Sequence, residues 1–430
     1  MATLFRLPEN HPQRFQLHNV VHARSFSILN LPVRASHLAL MLEDDEKKSE
    51  WQHLISLCDR FAVSPPEQHA DHFIAELGGF QFRWEQHGEF STYTFYVQGT
   101  ETAPFAEPAL KAVPVDWLAD LGGRTVVAAH ATILPDDGDY ADMAKISGCF
   151  AGNPVIGAEV SGGAARAFTD FRVHIDGFSR FLIVDLKLQP GQAGRLLHRL
   201  FEIEVYRVMA MLAKPIARKL SPKLNLRDQQ LLHITTAMSQ PKRKDDELLE
   251  ELINLATNVE HCMSTSHFRF SAAGAYYKIV VQRIEELREQ RIQGIQTIGE
   301  FMKRRLQPAI NTCNTTAKRL NQLSRRISNA GDLLRTRVDI SIEQQNQDLL
   351  KSMNQRAKMQ LRLQETVESL SIVAITTYVS TLVGSIARAA QASGWPVNPD
   401  IITGVSIPVI LLAVAISVRR IHNMILKPED

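Results

Sequence analysis

The sequence predicts an α+β cytoplasmic domain with a mainly antiparallel sheet. A long helical, coiled-coil-like stalk and a C-terminal two-helix transmembrane hairpin follow it. Three observations carry this reading. Strand-like runs with period-two patterning fall between residues 30 and 190 and stop there. From Pro190 onward apolar residues recur at spacings of three and four, and no proline interrupts Ala309 to Glu368. Two apolar runs without a charged residue, Ser369–Ala387 and Ile401–Val418, close the pattern. Each approaches the roughly 20 residues that a helix needs to cross hydrocarbon. The expected organisation is a domain over 1–190, a helical region with a stalk over 191–368, a two-span hairpin over 369–418 and a short basic tail over 419–430.

Residues 1–30 read as irregular, with Pro8 and Pro12. His37–Leu42 suits a buried strand. Asp44–Phe61 is helical: Asp44 and Asp45 complement the dipole at its start, and Leu54, Leu57 and Phe61 share one face. Phe80, Phe82 and Trp84, then Tyr93, Phe95 and Val97, alternate with polar residues around a His87–Gly88 turn, which makes a hairpin. Residues 101–117, rich in proline and alanine, are expected to cross the surface. Arg124–Leu134 is strand-like and Ala141–Ile146 a short helix. A second strand group covers Val155–Val160, Ala167–Ile175 and Ser179–Leu188, with a turn at Asp176–Gly177. Strands and helices do not alternate as a doubly wound nucleotide fold requires.

The helical half begins with Gly191–Leu212, which Pro215 and Pro222 are expected to interrupt. Leu224–Met238, Asp245–Cys262 and Ser271–Leu306 read as separate helices, with a basic linker at Gln240–Lys244. Pro308 kinks the last or starts the next. The proline-free stretch after it is long enough for a helix of about 90 Å. Ile310, Cys313, Ala317, Leu320, Ser324, Ile327, Gly331, Leu334 and Val338 form a heptad-like seam; after a slip it resumes with Ile342, Leu349, Met353, Leu363 and Val367. Such a seam wants a partner helix. Ser324, Gly331 and Gln345 loosen it.

The formal net charge is +2, so composition gives no reason to expect a nucleic-acid partner. The four cysteines, Cys58, Cys149, Cys262 and Cys313, are far apart, which fits a reducing compartment better than a disulfide framework. The N-terminus has no apolar signal region. Arg356, Lys358 and Arg362 precede the first run, and Arg419, Arg420 and Lys427 follow the second. The loop between them holds Arg388 opposed by Asp400. The positive-inside rule then places both termini in the cytoplasm of a multi-pass protein of the bacterial inner membrane.

No motif specifies catalysis, a cofactor or a metal. His18 and His22 have metal-helix spacing but lack the glutamate of HExxH. Gly122–Gly123 and Gly162–Gly163 match no phosphate loop and read as turns. Asp170, Asp176, Asp185, Glu202 and Glu204 are candidates for a carboxylate site; the plainer reading pairs them with Arg172, Arg180, Arg199 and Arg207. Arg304–Arg305, Lys318–Arg319 and Arg325–Arg326 read as a solvated face. The first apolar run is rich in hydroxyls. Thr377, Thr381, Gly384 and Arg388 recur at helical spacing on one face, for helix packing or for a pore lining.

Several stretches resemble a bacterial family, the domain of unknown function family 3422. They are LHNVVHARSF (Leu17–Phe26), SGCFAGN (Ser147–Asn153), TDFRVHIDGFSRFLI (Thr169–Ile183) and GQAGRLLHRLFEIEVYRVMAMLAKPIAR (Gly191–Arg218). Val20 and Ser25 depart from the family's glutamate and proline in the first. The resemblance implies a membrane-anchored protein and no activity. The layout is also similar to CorA-type cation channels, although Gly384–Ser385–Ile386–Ala387–Arg388 stands where those channels carry Gly-Met-Asn. The expected function is a non-enzymatic membrane-anchored scaffold or regulatory module, homo-oligomeric through its stalk. The alternative is a CorA-like ion channel.

Overall fold

The computed structural model describes residues 8–14, 26–68, 70–99, 103–138, 140, 142–240, 244–394, 396 and 398–425. The chain forms two compact units: Met1–Arg243 with Glu247–Gly331, and Lys244–Asp246 with Asp332–Asp430.

The first unit is α+β. Its sheet contains β1 (Val33–Met41), β2 (His72–Leu77), β3 (Phe80–Gln86), β4 (Phe90–Gln98), β5 (Arg124–Pro135), β6 (Ile156–Val160), β7 (Ala165–Thr169) and β8 (Ser179–Asp185). These eight strands lie in the order β2-β3-β4-β1-β5-β8-β7-β6. Every pairing is antiparallel except β5 with β8. One face packs on α4 (Pro190–Met211) and α6 (Asp245–Leu287) through Phe201, Ile203, Phe270 and Val280. The opposite face carries α1 (Asp44–Arg60) and α2 (Val115–Ala119) at one end, over Leu54, Leu57, Phe82, Phe95 and Trp117. α3 (Met143–Cys149) covers the other end with Ile146 and Phe150. Both faces are therefore buried, and β3 and β4 lose the simple alternation their aromatic residues suggest.

A buried carboxylate ties α1 to the sheet. Glu50 accepts hydrogen bonds from Trp84 Nε1, Gln86 Nε2, Ser91 Oγ and Tyr93 Oη. Four donors satisfy a charge that would otherwise be costly inside a protein.

Several boundaries differ from the sequence reading. Residues 103–117 are not a surface crossing: Ala109, Val113 and Trp117 are in the core. Aromatic anchoring outweighs proline-rich composition there. β2 has only a weak alternating pattern and is added by pairing with β3. Residues 170–175 leave the sheet because Asp170 Oδ1 accepts the Arg172 amide in a local turn. α5 (Ala213–Met238) carries Pro222 within it instead of stopping there; Pro215 sits in its first turn, where a missing N–H costs little. α6 joins two stretches read as separate. It ends at Arg288, whose φ is +53°, and so the expected helix over Ser271–Leu306 is broken. α7 (Ile298–Arg305) starts afresh after a capping box between Thr297 and Glu300. Glu289 also takes the Ile298 and Gly299 amides.

The connector between α6 and α7 runs along β6. Gly157 donates to the Gln296 carbonyl, Glu159 and Gln290 exchange backbone bonds, and Ser161 donates to Leu287.

α8 (Gln307–Ala392) continues without a break into the first apolar run, and α9 (Pro399–Ile425) contains the second. Both are long and apolar enough to cross a membrane. In the second unit, Gly384 of α8 lies against Thr403 of α9, where an added Cβ would come within 3.0 Å of the Thr403 hydroxyl. Ile402, Ser406, Ile410, Val414 and Val418 form a half-buried stripe on α9.

Candidate functional site

A cluster of ionisable groups lies between the sheet and α4. It starts from a sequence oddity: β3 alternates Phe82 and Trp84 with Arg83 and Glu85, so the aromatics face α1 and the charges face the opposite side. Both charged residues are buried, at 2% and 5% exposure. Arg83 grips Glu85 with Nε to Oε2 at 3.1 Å and Nη2 to Oε1 at 2.9 Å. Burial disfavours the Glu85 carboxylate, yet the Arg83 bonds and the nearby His198 bring its pKa to about 2.

β1 contributes His37. Register opposes it to Thr94 of β4, and Nδ1 lies 2.8 Å from the Thr94 hydroxyl. Its ring stacks on Phe201 with centroids 4.5 Å apart. The other nitrogen, Nε2, is buried and has no hydrogen-bond partner among the described residues. Burial, with His198 adding to it, lowers the His37 pKa to about 3, so the ring is neutral.

α4 supplies His198, Arg199, Glu202 and Tyr206, which helical spacing brings toward the sheet and α6. His198 stands between two carboxylates: Nδ1 is 3.8 Å from Glu85 Oε2 and Nε2 3.6 Å from Glu202 Oε2. Burial lowers its pKa despite both. Arg283 of α6 binds Glu202 at 2.6 Å and Glu286 at 2.9 Å, and Arg199 Nε binds Glu286 at 3.0 Å. Beyond these, Glu89 accepts from Tyr276 at 2.7 Å and pairs with Arg269 at 2.6 Å. Gly194 allows this packing, because a Cβ there would collide with the Ser27 carbonyl as the chain crosses α4.

These side chains enclose a cavity of about 130 Å³, with Phe26, Phe90 and Phe201 as its apolar walls. Balanced ion pairs fix the walls, and neutral imidazoles leave hydrogen-bonding capacity inside. That arrangement suits recognition of a small polar molecule. Among the described residues, no group of three His, Cys, Asp or Glu side chains is placed to hold a metal.

The carboxylates singled out in the sequence do not meet at one site. Asp170 is bound by Asn153 at 2.8 Å and faces His174 at 3.1 Å. Asp176 pairs with Arg180, Asp185 accepts the Leu188 amide, and Glu204 is gripped by Arg207. Only Glu202 belongs to the cavity. Arg199 pairs with Glu286, not with a carboxylate of that set. His18 and His22 lie outside the described residues.

On α8, Thr377 and Thr381 are exposed and donate to the carbonyls of Val373 and Thr377. Gly384 is buried, while Arg388 is exposed and sets Nε 3.4 Å from the Gly384 carbonyl. The buried face instead runs through Thr376, Ser380, Gly384 and Ala387. Gly384 thus belongs to the buried face, and the two threonines lie beside it.

The sequence analysis missed His37, Glu85, His198 and Arg283. Two signals pointed to two of them: charges on an otherwise aromatic strand for Glu85, and His198–Arg199 with Glu202 inside the longest family-like stretch; none pointed to His37 or Arg283.

One family model, described as protein of unknown function (DUF3422), matches residues 9–425. No curated protein and no solved structure matches the chain.

Proposed function

We propose a function from the geometry of this chain, because the chain belongs to the DUF3422 family and that family's description assigns no activity. The chain is a non-enzymatic, membrane-anchored scaffold or regulatory module. Residues 369–418 form a transmembrane hairpin in the bacterial inner membrane, and both termini are cytoplasmic. One observation carries the reading: large apolar side chains are exposed around both helices, among them Leu370, Val373, Leu382, Ile401, Val405 and Leu412. Water would penalise that surface and hydrocarbon would not.

The hydroxyls fit the same reading. Thr376, Thr377, Ser380, Thr381 and Ser385 each donate to the carbonyl four residues earlier. Donors satisfied within their own helix need no water-filled pore. This favours an anchor over a CorA-like channel. The alkaline-resistant membrane fraction should contain the chain. With the native cysteines replaced, Ser393→Cys should react with an impermeant maleimide in spheroplasts, and Arg335→Cys only after lysis. Release at alkaline pH would refute the anchor, and the reverse labelling pattern would refute the cytoplasmic placement of the termini. Ion flux in liposomes above that of empty vesicles would restore the channel.

The stalk reading extends to self-association. Leu349, Met353, Leu363 and Val367 are each more than half exposed on α8. A coiled-coil-like contact between copies covers them, and the protein is a homo-oligomer. A monomer by light scattering in detergent would remove that part of the proposal alone.

A further inference from the structure

We propose that the cavity and the cleft beside it are one binding site for a small organic oxyanion bearing a hydroxyl or amino group. This goes beyond anchoring and stands independently of it. The inner part is the cavity of about 130 Å³. An apolar cavity of roughly 150 Å³ accommodates benzene, so the inner chamber takes a head group of about six heavy atoms or fewer. His37 Nε2 lacks a partner among the described residues at that wall, although only 5% of the residue is exposed. Native interiors rarely leave such an atom unpaired, and a ligand hydroxyl can serve either imidazole tautomer.

The outer part is a cleft of about 470 Å³ lined by Arg195, Arg199 and Arg288. Arg199 and Glu286 line both volumes, so the two adjoin at that ion pair. Arg199 spends Nε on Glu286; its terminal nitrogens, and the guanidinium groups of Arg195 and Arg288, make no hydrogen bond or ion pair among the described residues. Three guanidinium groups face two carboxylates there, Glu285 and Glu286, and Glu286 is already bound by Arg199 and Arg283. The cleft thus has spare planar donors, which match a carboxylate or phosphate group. In the bound state the oxyanion lies in the cleft and its hydroxylated end reaches His37.

The test is calorimetry on the full chain in detergent, with two pairs of soluble probes: acetate against lactate, and methyl phosphate against glycerol 3-phosphate. The hydroxylated member of at least one pair should bind about tenfold tighter or more than its partner. The pair that binds identifies the oxyanion. Joint Arg195→Gln and Arg288→Gln substitution should weaken both members about tenfold or more. His37→Phe keeps the stacking on Phe201 and should abolish only the difference within the pair. If that variant misfolds, isotope-labelled histidine in the wild type supplies the readout, since the His37 ring nitrogens should shift on titration with the hydroxylated probe. Absence of binding by all four probes, equal binding within both pairs, or affinity indifferent to the arginine substitutions would each overturn the proposal.

Discussion

α8 contains two stretches with the same heptad-like spelling and opposite surroundings. In the earlier one, Ile310, Cys313, Leu320, Ile327 and Leu334 are at most 4% exposed. Arg319 and Arg326, one heptad apart on the same side of this seam, both pair with Asp228 of α5. In the later one, Leu349, Met353 and Leu363 are 59–66% exposed. Periodicity tells a helix which face is apolar. It does not tell who supplies the cover: the residues of the earlier stretch are buried, and along the later one no described residue covers these side chains.

The largest effect that would sharpen this contrast is loss of the buried carboxylate. Glu50→Ala strands four donors and should cost about 3 kcal/mol or more in urea unfolding followed by tryptophan fluorescence. Leu320→Ala should cost about 2–5 kcal/mol by the same readout. Leu349→Ala should cost about 0.5 kcal/mol or less when the protein is dilute and more as its concentration rises, because only the proposed contact between copies covers that stripe. A cost within about 0.5 kcal/mol at every concentration would show that no second copy covers it.

Acid supplies the next test. Burial lowers the pKa of His37 to about 3 and of His130 to about 4, against 6.5 for the free side chain. The unfolded chain therefore binds more protons than the folded one between these values. Stability is fully present above 6.5 and falls as pH drops through 5 toward 4, by about 1.4 kcal/mol for each unit of depression. Glu85 adds a loss between 4.5 and about 2. A melting temperature flat from pH 7 to 4 would contradict the buried, neutral state of these rings. The smallest effects belong to the apolar helices. Gly384→Leu should disturb the contact with Thr403, read as lost cross-linking between cysteines placed on α8 and α9. Thr381→Val, which removes an exposed hydroxyl bonded to its own helix, should leave cross-linking unchanged.

The change from strand to helix near Pro190, the hairpin of β3 and β4 and the continuous α8 were legible because periodicity, turn residues and the lack of proline act locally. The site was not. His37, Glu85, His198 and Arg283 come from four elements, and only the order of the sheet and the crossing of α4 bring them together. Trp117 was hidden by its proline-rich setting. The break after Leu287 has no glycine or proline at the residue that bends, Arg288, so it carried no punctuation. The carboxylates on and after β8 were visible as residue types, but local arginines and backbone amides claim them one by one.

The connector from α6 to α7 has a consequence for neighbours. By bonding along β6 it acts as a surrogate edge strand, irregular and interrupted, which satisfies amides that another sheet would otherwise recruit. Molecules crowded side by side thereby lose that template for strand addition. A change such as Gly157→Val, whose Cβ would clash with Phe168 and the Ala167 carbonyl, should loosen that rim and show itself first as aggregation.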